Sequence, residues 1–414
     1  MAAPGTLDVL SRFMADNFDE SLILNEPCAF QRVFGRPEAG NSFTHFSPNA
    51  NDLDIEITRA DEKTAAVVPR GTMASFVGTN FGLVQAGQST FFSRKYPLIV
   101  DESAISADQI NNRMPYGEGP YENLSREVRL QRYAIREMRI MEQRTMRAFE
   151  RLAVQSVTLG KQSATPGFAT PGANDYDWRR NSSNSVTLTH GWAYASATTP
   201  LTDIDSLCFQ IRAAGHVRPD VMVLGATAMS AFMFNTQIVP ATGVGGAASK
   251  IYFDYIQFSA NFKADPKYDG FIKCGLIPMG KLRTPGGFDL TLFEYPEYYT
   301  AANGTATKYL NDLYAVIFCS SARADRYFGP PEQLPMTSVD QQRLVERFGF
   351  NPMLPPLPVN KFSDDGVFVP QMLYVDGYEN GNRTGFTPRI QAAPVFATTQ
   401  TDAFGVILNA GSSS

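Results

Sequence analysis

The feature that most constrains this chain is one uninterrupted helical pattern from Asn123 to Leu159. Leu124, Val128, Ile135, Met138, Met141, Thr145, Phe149 and Leu152 recur mostly at three- and four-residue steps, so they share one helix face. Asn123 is placed to cap the start and Gly160 the end, and neither Pro nor Gly interrupts between them. At 1.5 Å per residue the helix would reach roughly 50 Å, well beyond the usual three or four turns. The opposite face carries Arg126, Arg129, Arg132, Arg136, Arg139, Arg144, Arg147 and Arg151, and only Glu127, Glu137, Glu142 and Glu150 oppose them. A long element with one apolar side and one arginine side reads as a strut. Its apolar side would hold the subunit core, and its arginine side would meet neighbours or a polyanion.

The rest of the composition says what that strut belongs to. With 414 residues, 43% hydrophobic and 19% charged, the chain can build a sizeable core of two or three domains. The net charge of −5 argues against a dedicated nucleic-acid binder, so the arginines on the helix are a matter of local distribution. The 12% of aromatic residues favours large packed or interfacial surfaces. Cys28, Cys208, Cys274 and Cys319 are far apart and form no CxxC pair, which fits small buried hydrophobes in a reducing compartment. The first twenty residues do not read as a signal peptide, and no apolar run is long enough to span a membrane.

Ahead of the helix, residues 1–50 read as an arm with a short amphipathic helix at Leu7–Met14 and little core of its own. Leu53–Thr58 alternates with period two, as a half-buried strand does. Ala65–Pro69, Phe76–Val84 and Ser89–Val100 continue the strand texture, with a turn near Gly82 and Gly87. Phe91, Phe92, Arg94, Lys95 and Tyr96 exceed what a small hairpin can bury alone, so they point to a contact with a partner.

Beyond the helix, Lys161–Thr198 is mostly loop around a strand at Val186–Thr189, and a compact α/β unit begins at Pro200. Thr202-Asp-Ile-Asp205 fits a loose capping box ahead of the face Ile204, Leu207, Cys208, Ile211. Strands are expected at Pro219–Gly225, Ile251–Ile256, Asp289–Glu294 and Tyr314–Cys319, a helix at Ala226–Asn235, and a turn at Asn303-Gly304. A proline-studded stretch follows Gly329, with a short helix at Ser338–Phe348. Strands return at Ile390–Ala397 and Phe404–Asn409.

No catalytic constellation accompanies these elements. His45, His190 and His216 are scattered, and Pro219 spoils the helical spacing that would pair His216 with Asp220 as ligands. GxSxG and a Walker A loop are absent, and Gly243–Ala248 matches a dinucleotide fingerprint only as low complexity. Asp364-Asp365 and Glu294-Tyr-Pro-Glu297 read as turn or surface carboxylates. The expectation is no catalytic, cofactor or metal site.

The order of elements carries a resemblance. The helix segment Arg132-Tyr-Ala-Ile-Arg-Glu-Met-Arg139 exits through Val154–Lys161. His190-Gly-Trp192 leads to Pro200–Asp205, Ala322–Gly329 leaves the α/β unit, and Gln391–Phe396 and Asp402–Leu408 close the chain. In that order these stretches resemble tailed-phage major capsid proteins of the Hong Kong 97-type fold, and more narrowly the lambda-type capsid protein E family. The likeness spans most of 50–330 and 388–410; the arm and residues 330–388 look longer than is usual there.

The resemblance implies an α+β fold with an N-terminal arm (1–50) and peripheral-domain strands bearing an E-loop (51–120, the loop at about 66–105). A spine helix (about 123–159) would lie in the peripheral segment 121–199, followed by an axial domain (200–320) and a Pro-rich extension with return strands (321–414). It implies a non-enzymatic subunit that self-assembles through hexamers and pentamers into the icosahedral head of a double-stranded DNA phage, built in the host cytoplasm. Its partners would be copies of itself, a portal, scaffolding or decoration proteins, and packaged DNA held without sequence preference, with no membrane; the lambda-type resemblance argues against a covalent crosslink at Lys95. The shell of a cellular nanocompartment is the alternative of the same fold class, and a cytosolic enzyme is a third reading. Subunit contacts are expected at Phe91, Phe92, Arg94, Lys95 and Tyr96 of the hairpin and at Arg132, Arg136 and Arg139 of the helix.

Overall fold

The apolar run Val221-Met-Val-Leu224 and its counterpart Ala315-Val-Ile-Phe318 are buried at every position, which requires cover on both faces of a sheet. A computed structural model supplies that cover. It describes residues 29–34, 44–46, 52–58, 89–103, 105–106, 126–163, 176–193, 199–235, 238, 256–258, 264–301, 304–329, 374–379 and 385–412. The two runs are neighbours in a seven-stranded sheet ordered Ile256–Phe258, Ile277–Arg283, Asp289–Glu294, Val221–Leu224, Ala315–Phe318, Phe404–Leu408, Ser185–Thr187. Asp289–Glu294 is parallel to Val221–Leu224, and Phe404–Leu408 to Ser185–Thr187; the other neighbours are antiparallel.

Period-two alternation sends each strand's residues to opposite sides. Met222, Leu224, Ala315, Ile317 and Ile407 join one core. That core includes Ile204, Leu207, Cys208 and Ile211, and Met229 and Phe232 from a second helix. Val221, Val223, Val316, Phe318 and Val406 join the other core, with the long helix and the segment 29–34.

The long helix, α1, spans Arg126–Leu159, 34 residues. Met138, Met141, Met146, Phe149, Leu152, Ala153 and Val157 form its buried stripe. Thr145, read among the apolar positions, is buried too, and its hydroxyl donates to the Met141 carbonyl. The helix stops where the sequence places its C-cap. Gly160 takes φ +64°, and its N–H donates to Ser156 O. The carbonyls left open at that end are met by Arg180, whose guanidinium donates to Val157 O at 2.7 Å and to Thr158 O at 2.5 Å. Burial pulls the Arg180 pKa down to about 10, against the attraction of Asp402 and Asp177.

α2 (Pro200–Gly215) departs from expectation at its start. It begins three residues earlier than a Thr202 cap would allow, and Thr199 at the N-cap makes no side-chain cap bond. Pro200 explains this: its fixed φ suits the first helical position, where a missing N–H costs nothing. Asp205 instead clamps a distant loop, accepting from Thr284 Oγ1 at 2.6 Å and from the Gly286 N–H at 3.1 Å. α3 spans Ala226–Phe234, as its pattern predicts.

A strand order of Tyr374–Glu379, Gly385–Ala392 and Ile99–Glu102 makes a second sheet, with Ile105–Ser106 beside Gly385-Phe386. Thr44–Phe46, Asp325–Phe328 and Pro394–Ala397 make a third. α1 is bonded to that third sheet through Ser156 Oγ to Phe396 O (2.6 Å), and Gln162, just past the helix, adds Nε2 to Pro394 O (3.2 Å). Gly304, at φ +80°, turns the small hairpin Tyr298–Thr300/Ala306–Lys308. The expected arm helix near residue 7, the strand at 65–69, most of the E-loop and the helix at 338–348 lie outside the described residues, as do 251–255 of the strand expected at Ile251–Ile256.

Candidate assembly surfaces

Two elements carry the residues singled out in the sequence, a hairpin base and the outer side of α1. The hairpin base pairs Asp52–Thr58 with Ser89–Lys95 in antiparallel register, Asp52 opposite Lys95, Leu53 opposite Arg94, Ile55 opposite Phe92, Glu56 opposite Phe91. Alternation drives Leu53 and Ile55 into a cluster with Tyr176, Trp178, Val395 and Ala397. Trp178 is fixed in turn by its indole N–H, which donates to Ser156 Oγ of α1 at 3.2 Å. The base is therefore anchored on the subunit body through its Asp52–Thr58 strand.

Of the five expected contact residues, Phe91, Phe92, Arg94 and Lys95 fall on the second strand of this base. Tyr96 differs from them. It is half-buried and packs within its own subunit, beside Tyr327 and over Gly329, where any Cβ would collide with its ring. Five acidic residues near the hairpin could serve as carboxylate partners for an arginine face: Asp52, Asp54 and Glu56 lie in its paired strand, while Asp61 and Glu62 lie outside the described residues.

On α1, Arg136 and Arg139 are exposed, and Arg132 lies in the same helix one turn before Arg136. Arg144 stands 3.6 Å from Asp101, whose carboxyl is pushed up by burial against the pull of that arginine. Both groups are partly in water, so the pair contributes little. Arg151 lies 4.9 Å above the Tyr299 ring, a cation–π contact. Of the four glutamates, Glu142 and Glu150 are buried, and Glu137 accepts from Ser103 Oγ at 2.8 Å. Two of the four glutamates are thus withdrawn from the outer side of α1.

Glu150 is the residue that sequence reading missed. Its Oε1 accepts the Phe30 N–H (2.8 Å) and the Tyr295 hydroxyl (2.8 Å), and its Oε2 accepts the Gln31 N–H (3.0 Å). Burial raises its pKa to about 7, against these three donors. The signal was present: Glu150 is four residues after Met146 and three before Ala153, in phase with the apolar stripe.

The histidines lie apart: His45 stacks on Tyr327 and stands 3.8 Å from Asp325. His216 is the left-handed C-cap of α2, while Asp220 accepts from Lys267, Tyr268 and Ser320. Among the described residues no three His, Cys, Asp or Glu side chains cluster as a metal site, and no helix is long and apolar enough to cross a membrane.

The model of the phage major capsid protein E family matches residues 51–344, more than half of the chain. The chain belongs to that family. This capsid protein is similar over its whole length to a solved capsid protein of an Escherichia coli CFT073 prophage, at 15% identity and a TM-score of 0.58. That match covers 98% of this chain and 99% of the other. It is a mixed helix-and-sheet subunit of the Hong Kong 97-like fold. A phage-related protein from Bordetella bronchiseptica RB50 aligns at 10% identity and TM-score 0.43, covering 98% of each chain. An encapsulin of Synechococcus elongatus PCC 7942 aligns at 10% identity and TM-score 0.38, covering 88% of this chain and 84% of that one. No curated protein matches it. It is a structural, shell-forming protein of the virion, and self-association is its function.

Proposed function

We propose that the chain forms hexamers and pentamers that close into the icosahedral head of a tailed double-stranded DNA phage, in the host cytoplasm and without catalytic activity. The family match over residues 51–344 carries this reading. Within it, residues 200–320 form the axial domain, and α1 with the flanking sheets forms the peripheral domain. The hairpin rooted at Asp52–Thr58 and Ser89–Lys95 is the E-loop, and Phe91, Phe92, Arg94 and Lys95 meet a neighbouring subunit. Arg132, Arg136 and Arg139 pair with a neighbour's carboxylates, a role suited to the planar, bidentate guanidinium. Portal, scaffolding or decoration proteins and non-specifically held DNA complete the particle.

Electron microscopy of the purified full chain tests this. Closed shells are expected, and in particles from infected cells they contain DNA. Shells that instead hold a protein cargo and no nucleic acid would favour the nanocompartment, and a monodisperse small oligomer would defeat both shell readings.

A further inference from the structure

The segment Ala29–Phe34 lies far from α1 in sequence yet is docked on it. A 3-10 turn at Gln31–Val33 presents two backbone N–H groups to Glu150, and Gln31 Nε2 donates to the Met146 carbonyl at 2.9 Å. Phe30 packs edge-on to Tyr295 and Phe34 edge-on to Phe396. One carboxylate, 0% exposed, therefore joins three segments: the arm, the helix and the end of a sheet strand. Among the described residues its hydrogen-bond donors are two amides and a phenol, and no cation pairs with it. The titratable groups that face it are Tyr295 and Cys274, the latter closing the short helix Asp269–Lys273 and itself accepting from Arg32 Nε at 3.0 Å. Tyr309 and Glu297 stand behind Tyr295.

We infer that Glu150 is a protonation-controlled latch for the segment 29–34, which its neutral form holds docked and its ionised form loosens. Desolvation opposes the charge while the segment covers it, and undocking returns the carboxylate to water. A proton therefore binds more tightly to the docked state, whose Glu150 titrates near pH 7 and not in the ordinary glutamate range. By linkage, docking is firmest below the ordinary range. It weakens as pH rises toward 7 and then levels off, because above that point both states are ionised.

Amide hydrogen exchange of the full chain at pH 5, 6, 7 and 8, expressed as protection factors, reads this directly. Protection of residues 29–34 is expected to fall at least tenfold between pH 5 and 7 and to change little from 7 to 8, while α2 stays constant. Glu150→Gln, which keeps the shape and cannot ionise, should flatten the profile. A flat wild-type profile, or the same fall in the Gln variant, overturns the inference. Should that variant not fold, Tyr295→Phe carries the test. Removing a donor to the charged form raises the docked pKa further, so the fall must extend above pH 7; a fall ending where the wild type's ends overturns it. None of these outcomes depends on whether shells form.

Discussion

Gly160 shows how much one residue can fix. Its φ of +64° is open to glycine and strained for an L side chain. A Cβ there would also stand 3.0 Å from the Cβ of Arg180, the residue that occupies the last carbonyls of α1. Gly160→Ala therefore combines left-handed strain with displacement of the arginine cap. We expect a loss of about 1–3 kcal/mol, measured as a shift of the denaturant midpoint of the unassembled subunit. Gly160→Asn, which tolerates the left-handed region better, should lose roughly half as much. A Gly160→Ala midpoint equal to wild type would show that the cap does not matter. The cap glycine was legible in the sequence, since it follows an unbroken apolar period. Arg180 was not, because its partners are carbonyls of a helix end brought near only by the fold.

At the scale of elements, the helical and period-two patterns located α1, α2, α3 and the central strands of the large sheet, for those patterns are local, but not Ile277–Arg283, Asp325–Phe328 or Tyr374–Glu379. Sheet order was not legible: nothing in Phe404–Leu408 announces that it pairs beside Ala315–Phe318 on one edge and Ser185–Thr187 on the other. The capping box failed because Thr202-Asp-Ile-Asp205 fits two roles equally, and Pro200 decided between them. The hairpin residues stood out by composition, but the inward turn of Tyr96 depends on Gly329, more than two hundred residues away. The anchoring of the hairpin base yields a further prediction. Ile55 is 0% exposed, at the centre of the cluster with Tyr176, Trp178, Val395 and Ala397. Ile55→Ala should cost about 2–4 kcal/mol. Its signature should be local: amide protection falls across 52–58 and 89–95, while Val221–Leu224 and Ala315–Phe318 keep theirs. Uniform loss across all four strands would mean that the hairpin base and the large sheet unfold as one unit.

For the whole molecule, the question is what the arginine side of α1 faces in the particle. Water alone is the simplest answer, and pairs along the helix would then absorb the charge at a few tenths of a kcal/mol each. The structure removes part of that compensation, since Glu142 and Glu150 point into the core and Arg136 and Arg139 do not. Packaged DNA would accept the stripe without regard to geometry, and its hold would weaken steeply with salt. A neighbouring subunit would accept it through carboxylates, which an acidic chain of net charge −5 supplies in excess. Asp52, Asp54 and Glu56 alternate with the anchored Leu53 and Ile55 along one strand of the hairpin. The double variant Arg132→Glu and Arg136→Glu separates the cases. It should leave the subunit folded by circular dichroism, because Arg136 is exposed. With subunit pairing, it abolishes shells in sedimentation and micrographs, and a compensating Asp54→Lys or Glu56→Lys restores some of them. With DNA contact, empty shells form normally and only retention of DNA at raised salt falls. With water alone, neither changes. We expect the first outcome, since like charges brought face to face at every copy of one interface multiply a small repulsion over the whole shell.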